Sequence, residues 1–463
     1  MKRIVVALVV IALGCASRLI AAEKPNIVVI LADDMGRVDC GFMGGTEIKT
    51  PNLDKLAAAG ARLDAFYVQP LCSPTRAALM SGRYPMRFGM QVGVVRPWAR
   101  HGLPLDEQTL PQALKTAGYA TAITGKWHIG HFRPEYLPTH RGFDHQYGHY
   151  NGAIDYFTHM RDGGFDWHRD DKECRDEGYS THLLAKEAVK FVTETAGKKP
   201  FFLYLPFNAV HAPHQVPEKY TAAYPNLKGD RKLYAGMLAA MDEAVGEVVA
   251  AVEKAGVRNN TLFVFSSDNG GPAPGRVADN GKFRAGKGTL YEGGTRVAAC
   301  VAWDGKIKPG SVVAEPLHVV DLYPTLLKLA GVTVEQKLPL DGKDAWPTIA
   351  EGKPSPHADI LINAAPNSGA IRAGDWKLVF HTGRGDNPDG GPPKKKKKTV
   401  KASVELFDLK ADPYEKTNLA DKHPDKVKEL RARYDAYAAQ AVPSKNRPRP
   451  KDFVAPRVWG EKE

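Results

Sequence analysis

The sequence predicts an α/β fold in which a mostly parallel sheet lies between helices, followed by a smaller C-terminal α+β unit. Residues 26–32 and 261–267 are continuous apolar runs of strand length, which is typical of parallel strands covered on both faces. Apolar residues recur at helical spacing through residues 233–255. From about His357 the pattern changes to short strands and one last helix. With 463 residues, of which 43% are hydrophobic, the chain can bury a large core and a smaller one.

The predicted elements of the larger unit include helices and strands in alternation. Thr50 and Pro51 are typical of a helix start and Gly60 of a helix end, so a short helix is predicted between them. Further helices are predicted within residues 103–118, 181–195, 317–330 and 338–351, and further strands at 119–124 and 201–205. Residues 138–179 form a polar, aromatic insertion with few clear elements, where we expect substrate contacts.

The C-terminal unit is predicted to be small and antiparallel in character. Its strands are predicted at residues 360–363, 370–372, 376–380 and 404–408, and its final helix at 425–440. We therefore divide the chain into a leader at residues 1–22, a catalytic domain at 23–355 and a C-terminal α+β subdomain at 356–463. Residues 382–401 are predicted to be a mobile hairpin insertion.

The first residues have the pattern of an export signal. Two cations after Met1 precede an apolar run at residues 4–14, which is too short to span a membrane. We predict a signal peptide at residues 1–22 and an exported protein, periplasmic or secreted, with no membrane span. The alternative is that residues 12–15 form an imperfect lipobox and that Cys15 carries a lipid anchor. The small Ala12 and the nearby Arg18 favour simple cleavage.

The composition bounds the partners of the protein. A formal net charge of +12 suits a polyanionic substrate by electrostatic steering. The lysine run at residues 394–398 is more typical of a solvated loop than of a binding site. No disulfide framework is predicted from the five cysteines, which are Cys15, Cys40, Cys72, Cys174 and Cys300. We expect no nucleic-acid partner.

Polar side chains follow four of the predicted strands at the point where each strand ends. In chain order these side chains are Asp33 and Asp34, Lys126 and His128, His211, and Asp268 and Asn269. Because the carboxyl ends of parallel strands meet at one edge of a sheet, the four sets are expected to form a single site. Adjacent carboxylates can also cap a helix, but a hard divalent cation held by their oxygens is the better interpretation.

The centre of the predicted site is the segment Cys72-Ser73-Pro74-Thr75-Arg76, continued by Ala-Ala-Leu-Met-Ser-Gly-Arg. A cysteine in this setting would ordinarily be a buried thiol, or a thiol of lowered pKa at a helix N-terminus. The extended segment instead resembles the signature of the type I sulfatases. The resemblance implies that a formylglycine-generating maturation enzyme oxidises Cys72 to formylglycine (3-oxoalanine).

The resemblance to the type I sulfatases covers nearly the whole chain after the leader. It is strongest for the N-acetylgalactosamine-4-sulfatase (arylsulfatase B) branch, through residues 137–144, 234–246, 340–342 and 458–460. It implies an alkaline-phosphatase-like core and a Ca²⁺ ion held by Asp33, Asp34, Cys72, Asp268 and Asn269. It assigns the sulfate to Lys126 and Lys287, the formylglycine to Arg76 and His128, and the leaving-group oxygen to His211.

The chemistry of a sulfate ester agrees with these roles. The site needs an oxygen nucleophile for sulfur, a clamp of positive charge and an acid for the leaving alkoxide. One hydroxyl of a hydrated formylglycine would attack sulfur, and loss of a proton from the other would release sulfate. His128 is the natural base for that second hydroxyl, and His211 with Lys287 forms the acid side. The glycine-rich loop around Lys287 does not match the phosphate-binding pattern Gly-x-x-x-x-Gly-Lys-Ser/Thr.

The predicted substrate is a sulfated carbohydrate, with exo action on N-acetylgalactosamine 4-sulfate residues of chondroitin- or dermatan-type glycans. Candidate substrate-binding residues lie in two segments near the site and are Arg96, Trp98, Arg100, His101, His140 and Arg141. The alternative for Arg141 is a structural turn with an ion pair to Asp144.

Two other functions are compatible with the same residues. One is a phosphonate or phosphate-ester hydrolase of the same superfamily, and the other is a catalytically inactive protein that binds sulfated glycans. The intact set of Cys72, Arg76, Lys126 and Lys287 favours a working enzyme.

Overall fold

The computed structural model describes residues 24–333, 337–383 and 401–461. The predicted leader at residues 1–22 and most of the predicted hairpin insertion at 382–401 lie outside these residues. Within them, a ten-stranded sheet and a separate four-stranded sheet organise the chain, which confirms the α/β fold class with a C-terminal α+β subdomain. The division at residues 355 and 356 stays a prediction.

The strands of the main unit are numbered along the chain. They are β1 Asn26–Ala32, β2 Ala61–Leu63, β3 Phe66–Tyr67, β4 Ala120–Lys126, β5 His145–His149, β6 Met160–Arg161, β7 Gly164–Phe165, β8 His168–Arg169, β9 Lys172–Glu173, β10 Phe201–Pro206, β11 Thr261–Ser267, β12 Ala299–Ala302, β13 Ser311–Val313 and β14 Leu317–His318. The large sheet has the order β13-β2-β12-β11-β1-β10-β4-β5-β8-β9. Its centre, from β11 to β5, is parallel.

The helices lie on both faces of this sheet and beyond it. They are α1 Pro51–Ala58, α2 Cys72–Ser81, α3 Leu110–Thr116, α4 Ser180–Thr195, α5 Glu218–Ala222, α6 Gly229–Lys254, α7 Glu292–Thr295, α8 Leu322–Leu329, α9 Trp346–Glu351 and α10 Pro424–Ala438. Alternation along β1 separates two cores: Ile27 and Val29 pack with residues of α2, α3 and α8. Val28 and Ile30 pack with residues of α1, α4 and α6. The continuous apolar run of β1 therefore reflects a strand buried on both faces.

The C-terminal subdomain is an antiparallel sheet with one helix against it. Its strands are β15 Ile360–Ala364, β16 Ser368–Ala373, β17 Trp376–His381 and β18 Ser403–Asp408, paired in that order. Tyr434 of α10 packs edge-on against Phe380, with ring centroids 4.6 Å apart. Among the described residues, none of the helices combines the length and the apolar character needed to cross a membrane.

Three predicted helices are shorter in the structure than in the sequence pattern. The helix within 103–118 begins only at Leu110, because Thr109 caps it in a reciprocal pair with Gln112. Residues 317–318 form β14, and the predicted helix begins at Leu322. Of residues 338–351, only 346–351 are helical. There the amides of Asp341 and Gly342 both donate to the Gly82 carbonyl, so this part of the chain lies extended against the end of α2.

The insertion at 138–179 contains more regular structure than the sequence indicates. Its strand β5 continues the parallel sheet beside β4, and β8 and β9 add two antiparallel strands at the edge. The polar sequence His-Gln-Tyr-Gly-His of β5 has no apolar strand pattern. Long-range pairing with β4 overrides that local signal.

A buried cluster of charges joins the C-terminal sheet to the main unit. Lys377 of β17 lies 2.8 Å from the Glu292 carboxylate and 2.8 Å from that of Glu415, and all three residues are buried. The Tyr67 hydroxyl donates to Glu292 at 2.8 Å, and the Glu292 amide donates to Glu415 at 2.7 Å. Because Glu292 begins α7, directly after the glycine-rich loop, the cluster connects the C-terminal sheet to that loop.

We expect Lys377→Met to lower the free energy of unfolding by about 3–5 kcal/mol, because it leaves Glu415 buried without its cation and Glu292 with only the longer pair to Arg296 at 3.4 Å. The measurement is the unfolding midpoint in denaturant. Lys410→Met, which removes an exposed cation from the same subdomain, is the control. Equal stability of the two variants would contradict a structural role for the cluster.

Candidate active site

The site lies where β1, β4, β10 and β11 end. Backbone hydrogen bonds hold the segments after these strands together: the Asp33 amide donates to the Ala209 carbonyl at 2.9 Å, and the Asp268 amide donates to that of Ala32 at 3.0 Å. The four sets of polar side chains predicted to meet are therefore neighbours in the fold, at the edge of the sheet where α/β proteins bind ligands.

Cys72 is the first residue of α2, and every residue of this helix is buried. Ser73 fixes the helix start, since its hydroxyl donates to the His128 carbonyl at 2.7 Å and accepts from the Val95 amide at 3.0 Å. Pro74 fits the first turn, where no amide donor is needed. Burial raises the pKa of the Cys72 thiol to about 12, even though the Lys126 and Lys287 charges act in the opposite direction.

Three buried aspartates face three cations in this site. Arg76 donates to Asp268 through Nε at 3.0 Å and Nη2 at 2.8 Å. Lys287 pairs with Asp34 at 2.7 Å, and Lys126 pairs with Asp33. Buried charges persist only when they are paired in this way. The site therefore contains equal numbers of aspartates and of the cations that face them.

The carboxylates differ in their electrostatics. Burial, followed by the negative charge of Asp33, raises the pKa of Asp268 to about 6. Burial also opposes the charged form of Asp34. The charge of Lys287 and the hydrogen bonds that Asp34 accepts from Lys287 and Asn269 nevertheless bring the pKa of Asp34 below its usual range. A second cation near Asp268 would favour its ionised form.

The donor set fits a divalent cation. Ligand atoms of Asp33, Asp34, Cys72 and His211 all lie within 4.8 Å of one another. Two buried oxygens, Oδ1 of Asp33 and Oδ1 of Asn269, have no hydrogen-bond partner in the described part of the chain. Asp268 adjoins this group, because its Oδ1 accepts from the Asp34 amide at 3.3 Å. Carboxylate and amide oxygens without partners are the donors that a hard cation prefers.

The two candidate proton-transfer residues are His128 and His211, and the ring of each contacts a backbone carbonyl. His128 Nε2 lies 3.0 Å from the Val95 carbonyl, and burial with the Lys126 and Arg76 charges holds its pKa well below the usual range. His211 Nδ1 lies 2.6 Å from the Ala212 carbonyl, so this nitrogen carries the proton and Nε2 is an acceptor in the neutral ring. Burial and Lys287 lower the pKa of His211 to about 3.

A cavity of about 970 Å³ opens above these residues. Cys72, His128, His211 and Lys287 form its floor, and Arg96 stands on its wall. Its volume is at the upper end of the range for small-ligand sites, which is about 300–1,000 Å³. The cavity has room for more than a sulfate group.

Part of the cavity wall comes from residues that sequence reasoning missed. They belong to the hairpin β6–β7 and to the C-terminal sheet, and include Arg161, Asn363, Ser368, His381 and Ser403. No local pattern marks them, because the long-range packing of the subdomain brings them to the cavity. To identify them, one must know how the C-terminal sheet packs against the main unit, and the sequence does not show this.

The predicted substrate-binding residues separate into two groups. Of the described residues, Arg96 lines the cavity, whereas Trp98, Arg100 and His101 do not. The Trp98 indole donates to the Arg447 carbonyl at 3.0 Å, so it packs on the C-terminal segment. The Arg100 guanidinium lies 4.7 Å from the centre of the exposed Phe132 ring.

Among the described residues, His140 and Arg141 do not line the cavity and instead contact neighbouring segments of the fold. Arg141 is buried and donates to the carbonyls of Leu103, Pro104 and Glu107. The alternative of an ion pair between Arg141 and Asp144 is wrong, because Asp144 pairs with Lys115 at 2.6 Å. His140 is exposed and lies 3.5 Å from the Asp171 carboxylate. As sugar ligands, both residues are poorly placed.

Two family models match the chain. The model described as Sulfatase matches residues 25–332, and the model described as C-terminal region of aryl-sulfatase matches residues 355–459. Arylsulfatase J of Mus musculus is 37% identical over 95% of this chain and 80% of its own length. N-acetylgalactosamine-6-sulfatase of the same species is 36% identical over 72% of this chain and 68% of its own.

Solved structures agree with this assignment. The crystal structure of Ps i-CgsB in complex with k-i-k-neocarrahexaose has a TM-score of 0.83 at 34% identity, covering 92% of this chain and 95% of that one. The PsFucS1 sulfatase from Pseudoalteromonas sp. has a TM-score of 0.74 at 27% identity, covering 90% of each chain. The two matching family models, the alkaline-phosphatase-like fold and these relatives show that the chain belongs to the sulfatase family.

Proposed function

We propose that this sulfatase hydrolyses sulfate esters of a carbohydrate at the floor of the cavity, with residue 72 as formylglycine and a divalent cation beside it. The observation that carries the proposal is the meeting of Cys72, Asp33, Asp34 and His211 within 4.8 Å. Around them, Arg76, Lys126 and Lys287 supply the positive charge that an anionic substrate requires.

The buried environment of Cys72 argues against the unmodified thiol as the nucleophile. A thiol whose pKa burial raises to about 12 stays protonated near neutral pH, and a protonated thiol is a poor nucleophile. Formylglycine at this position would supply, in its hydrated form, an oxygen nucleophile for sulfur. Arg76 is one helical turn further along α2, where it can fix the position of residue 72 and the charge around it.

The cation would be held by Asp33, Asp34, Asp268 and Asn269 together with residue 72. When bound, it would neutralise negative charge on the sulfate group; Ca²⁺ is our choice of ion, because oxygen donors dominate the set. The orphaned oxygens of Asp33 and Asn269 support this assignment.

The remaining residues divide the charge and proton work. Lys126 and Lys287, now paired with aspartates, are placed to hold the sulfate oxygens once the cation occupies the carboxylates. His128 is buried and neutral, so it can accept a proton from a hydroxyl on residue 72. His211 must be in its imidazolium form to protonate the leaving oxygen, and the negative charge of a bound sulfate ester favours that form.

The finer substrate assignment is a sulfated sugar of the N-acetylgalactosamine 4-sulfate type, with exo action. Two other substrates should be compared with it. One is N-acetylgalactosamine 6-sulfate, after the name of the relative N-acetylgalactosamine-6-sulfatase, and the other is a carrageenan oligosaccharide, after the neocarrahexaose in the complex of a similar structure. We further propose that the protein is exported, periplasmic or secreted, and that a maturation enzyme converts Cys72 before folding is complete.

Active protein is expected to contain formylglycine at residue 72, because the thiol is too weak a nucleophile for turnover. The measurement is the mass of the tryptic peptide 63–76, in which conversion removes H₂S and adds one oxygen. Cys72→Ala should abolish turnover of an aryl sulfate and leave the unfolding midpoint near that of the unconverted protein. Fully active material that contains only the unmodified peptide would refute the assignment.

Removal of divalent cations is expected to abolish turnover, and added Ca²⁺ is expected to restore it, because the buried carboxylates are then able to bind the ion again. Metal content per chain, measured by mass spectrometry, should fall in Asp33→Ala. It should not fall in Asp452→Ala, which changes an exposed carboxylate far along the chain. Undiminished activity in metal-free protein would exclude the cation.

Arg96→Gln is expected to lower kcat/KM on an N-acetylgalactosamine 4-sulfate disaccharide about tenfold, since one charge-assisted hydrogen bond on the cavity wall is lost. An aryl sulfate, which needs only the floor of the cavity, should lose much less. Arg141→Gln serves as the comparison, because it should lower stability without changing the ratio of the two substrates. Equal losses on both substrates in Arg96→Gln would remove Arg96 from sugar binding.

A further inference from the structure

A basic surface lies beside the mouth of the cavity, and the sulfate site does not account for it. We define the basic surface by its exposed cations, which are Arg100, Arg133, Arg447, Arg449, Lys451 and Arg457. Most of them belong to the C-terminal segment, residues 441–461. That segment carries Lys445, Arg447, Arg449, Lys451 and Arg457 against only Asp452 and Glu461.

Specific contacts fix the C-terminal segment along the cavity wall. The Gln91 side chain, on the wall, donates to the Val442 carbonyl at 2.8 Å. The Trp98 indole donates to the Arg447 carbonyl at 3.0 Å. Further along, the Trp459 indole donates to the carbonyl of Arg161, whose side chain lines the cavity. The basic surface is therefore continuous with the cavity mouth.

Aromatic rings alternate with the cations of this surface. The Arg449 guanidinium lies 5.8 Å from the Trp98 ring centre and 5.2 Å from that of Phe453. The guanidinium of Arg96, on the cavity wall, lies 5.9 Å from the centre of the same Trp98 ring. Phe132, which Arg100 covers, is 46% exposed. Stacked guanidinium groups keep their donors free to face outward, toward anions in solution.

Among the residues that the structure describes, the six cations of the basic surface face no carboxylate at ion-pair distance. In the described part of the chain, none of the six forms an ion pair with a carboxylate, whereas Arg76, Arg87 and Arg231 each do. Burial first, and then the charges of Lys445 and Arg447, lower the pKa of His101 to about 4. Such an uncompensated patch attracts polyanions.

We propose that the basic surface binds further sulfate or carboxylate groups of the same linear polysaccharide whose reacting sulfate occupies the cavity. This inference rests on the proposed function and adds that the natural substrate is an extended, multiply charged chain. Arginine recognises such groups through paired hydrogen bonds, and several weak contacts on one chain multiply in effect. The aromatic faces suit sugar rings between the charged groups.

The test compares two triple variants of the full chain. Arg449→Gln, Lys451→Gln and Arg457→Gln remove three of the six cations of the basic surface and leave a polar side chain in place of each. Lys198→Gln, Lys199→Gln and Lys254→Gln remove the same charge from exposed, unpaired lysines among the described residues, at and near the opposite ends of the strands. The probes are a fluorescent chondroitin 4-sulfate chain, its disaccharide and a DNA duplex.

The wild type and the lysine control are expected to bind the chain at least about tenfold more tightly than the disaccharide, with an advantage that fades as salt is raised. The triple variant of the basic surface should lose that advantage and keep its turnover of a small aryl sulfate. If the wild type does not turn over the aryl sulfate, the proposed function is refuted. The comparison of chain and disaccharide binding still tests this inference in that case.

Three outcomes would overturn the inference. The first is a chain-length advantage that survives in the variant of the basic surface. The second is an equal loss in the lysine control, which would mean that only net charge matters. The third is competition by the DNA duplex as effective as that by the polysaccharide, which would make the surface a general polyanion or nucleic-acid site.

Discussion

The compensation of buried charge at one edge of the sheet is the constraint on which the rest of the structure depends. The aspartates at the ends of β1 and β11 are removed from water, and an unpaired buried carboxylate costs several kcal/mol. Arg76, Lys126 and Lys287 offset that cost from three different elements. A divalent cation would take over the carboxylates and release the two lysines. The arrangement is therefore stable without substrate and ready to hold a sulfate group.

The surrounding fold keeps those three cations in place. Arg76 depends on α2, which is buried along its whole length, and Lys126 on β4 within the parallel sheet. Lys287 lies on a loop, and the cluster around Lys377 anchors the end of that loop to the C-terminal sheet. The C-terminal subdomain thus has two roles, since it also supplies part of the cavity wall. A sulfatase of this type needs both domains for one site.

Much of this could be predicted from the sequence where the signal is local. The apolar runs identified β1 and β11, and the polar residues that follow four strands meet as expected because topology brings the strand ends together. The strand β5 escaped prediction, because pairing with β4 stabilises a polar sequence. The sequence suggests Arg141 as a sugar ligand, yet in the structure it donates to carbonyls within residues 103–107, a contact that no local pattern reveals. The wall residues of the C-terminal sheet were missed for the same reason, and the roles of the individual site residues stay predictions.

The most direct test of this account is a high-resolution crystal structure of natively produced protein, grown with Ca²⁺. The account predicts density for a cation in contact with Oδ1 of Asp33 and Oδ1 of Asn269, with the Lys126 ammonium moved away from Asp33. A well-ordered site without a cation, in which Lys126 still pairs with Asp33, would contradict it.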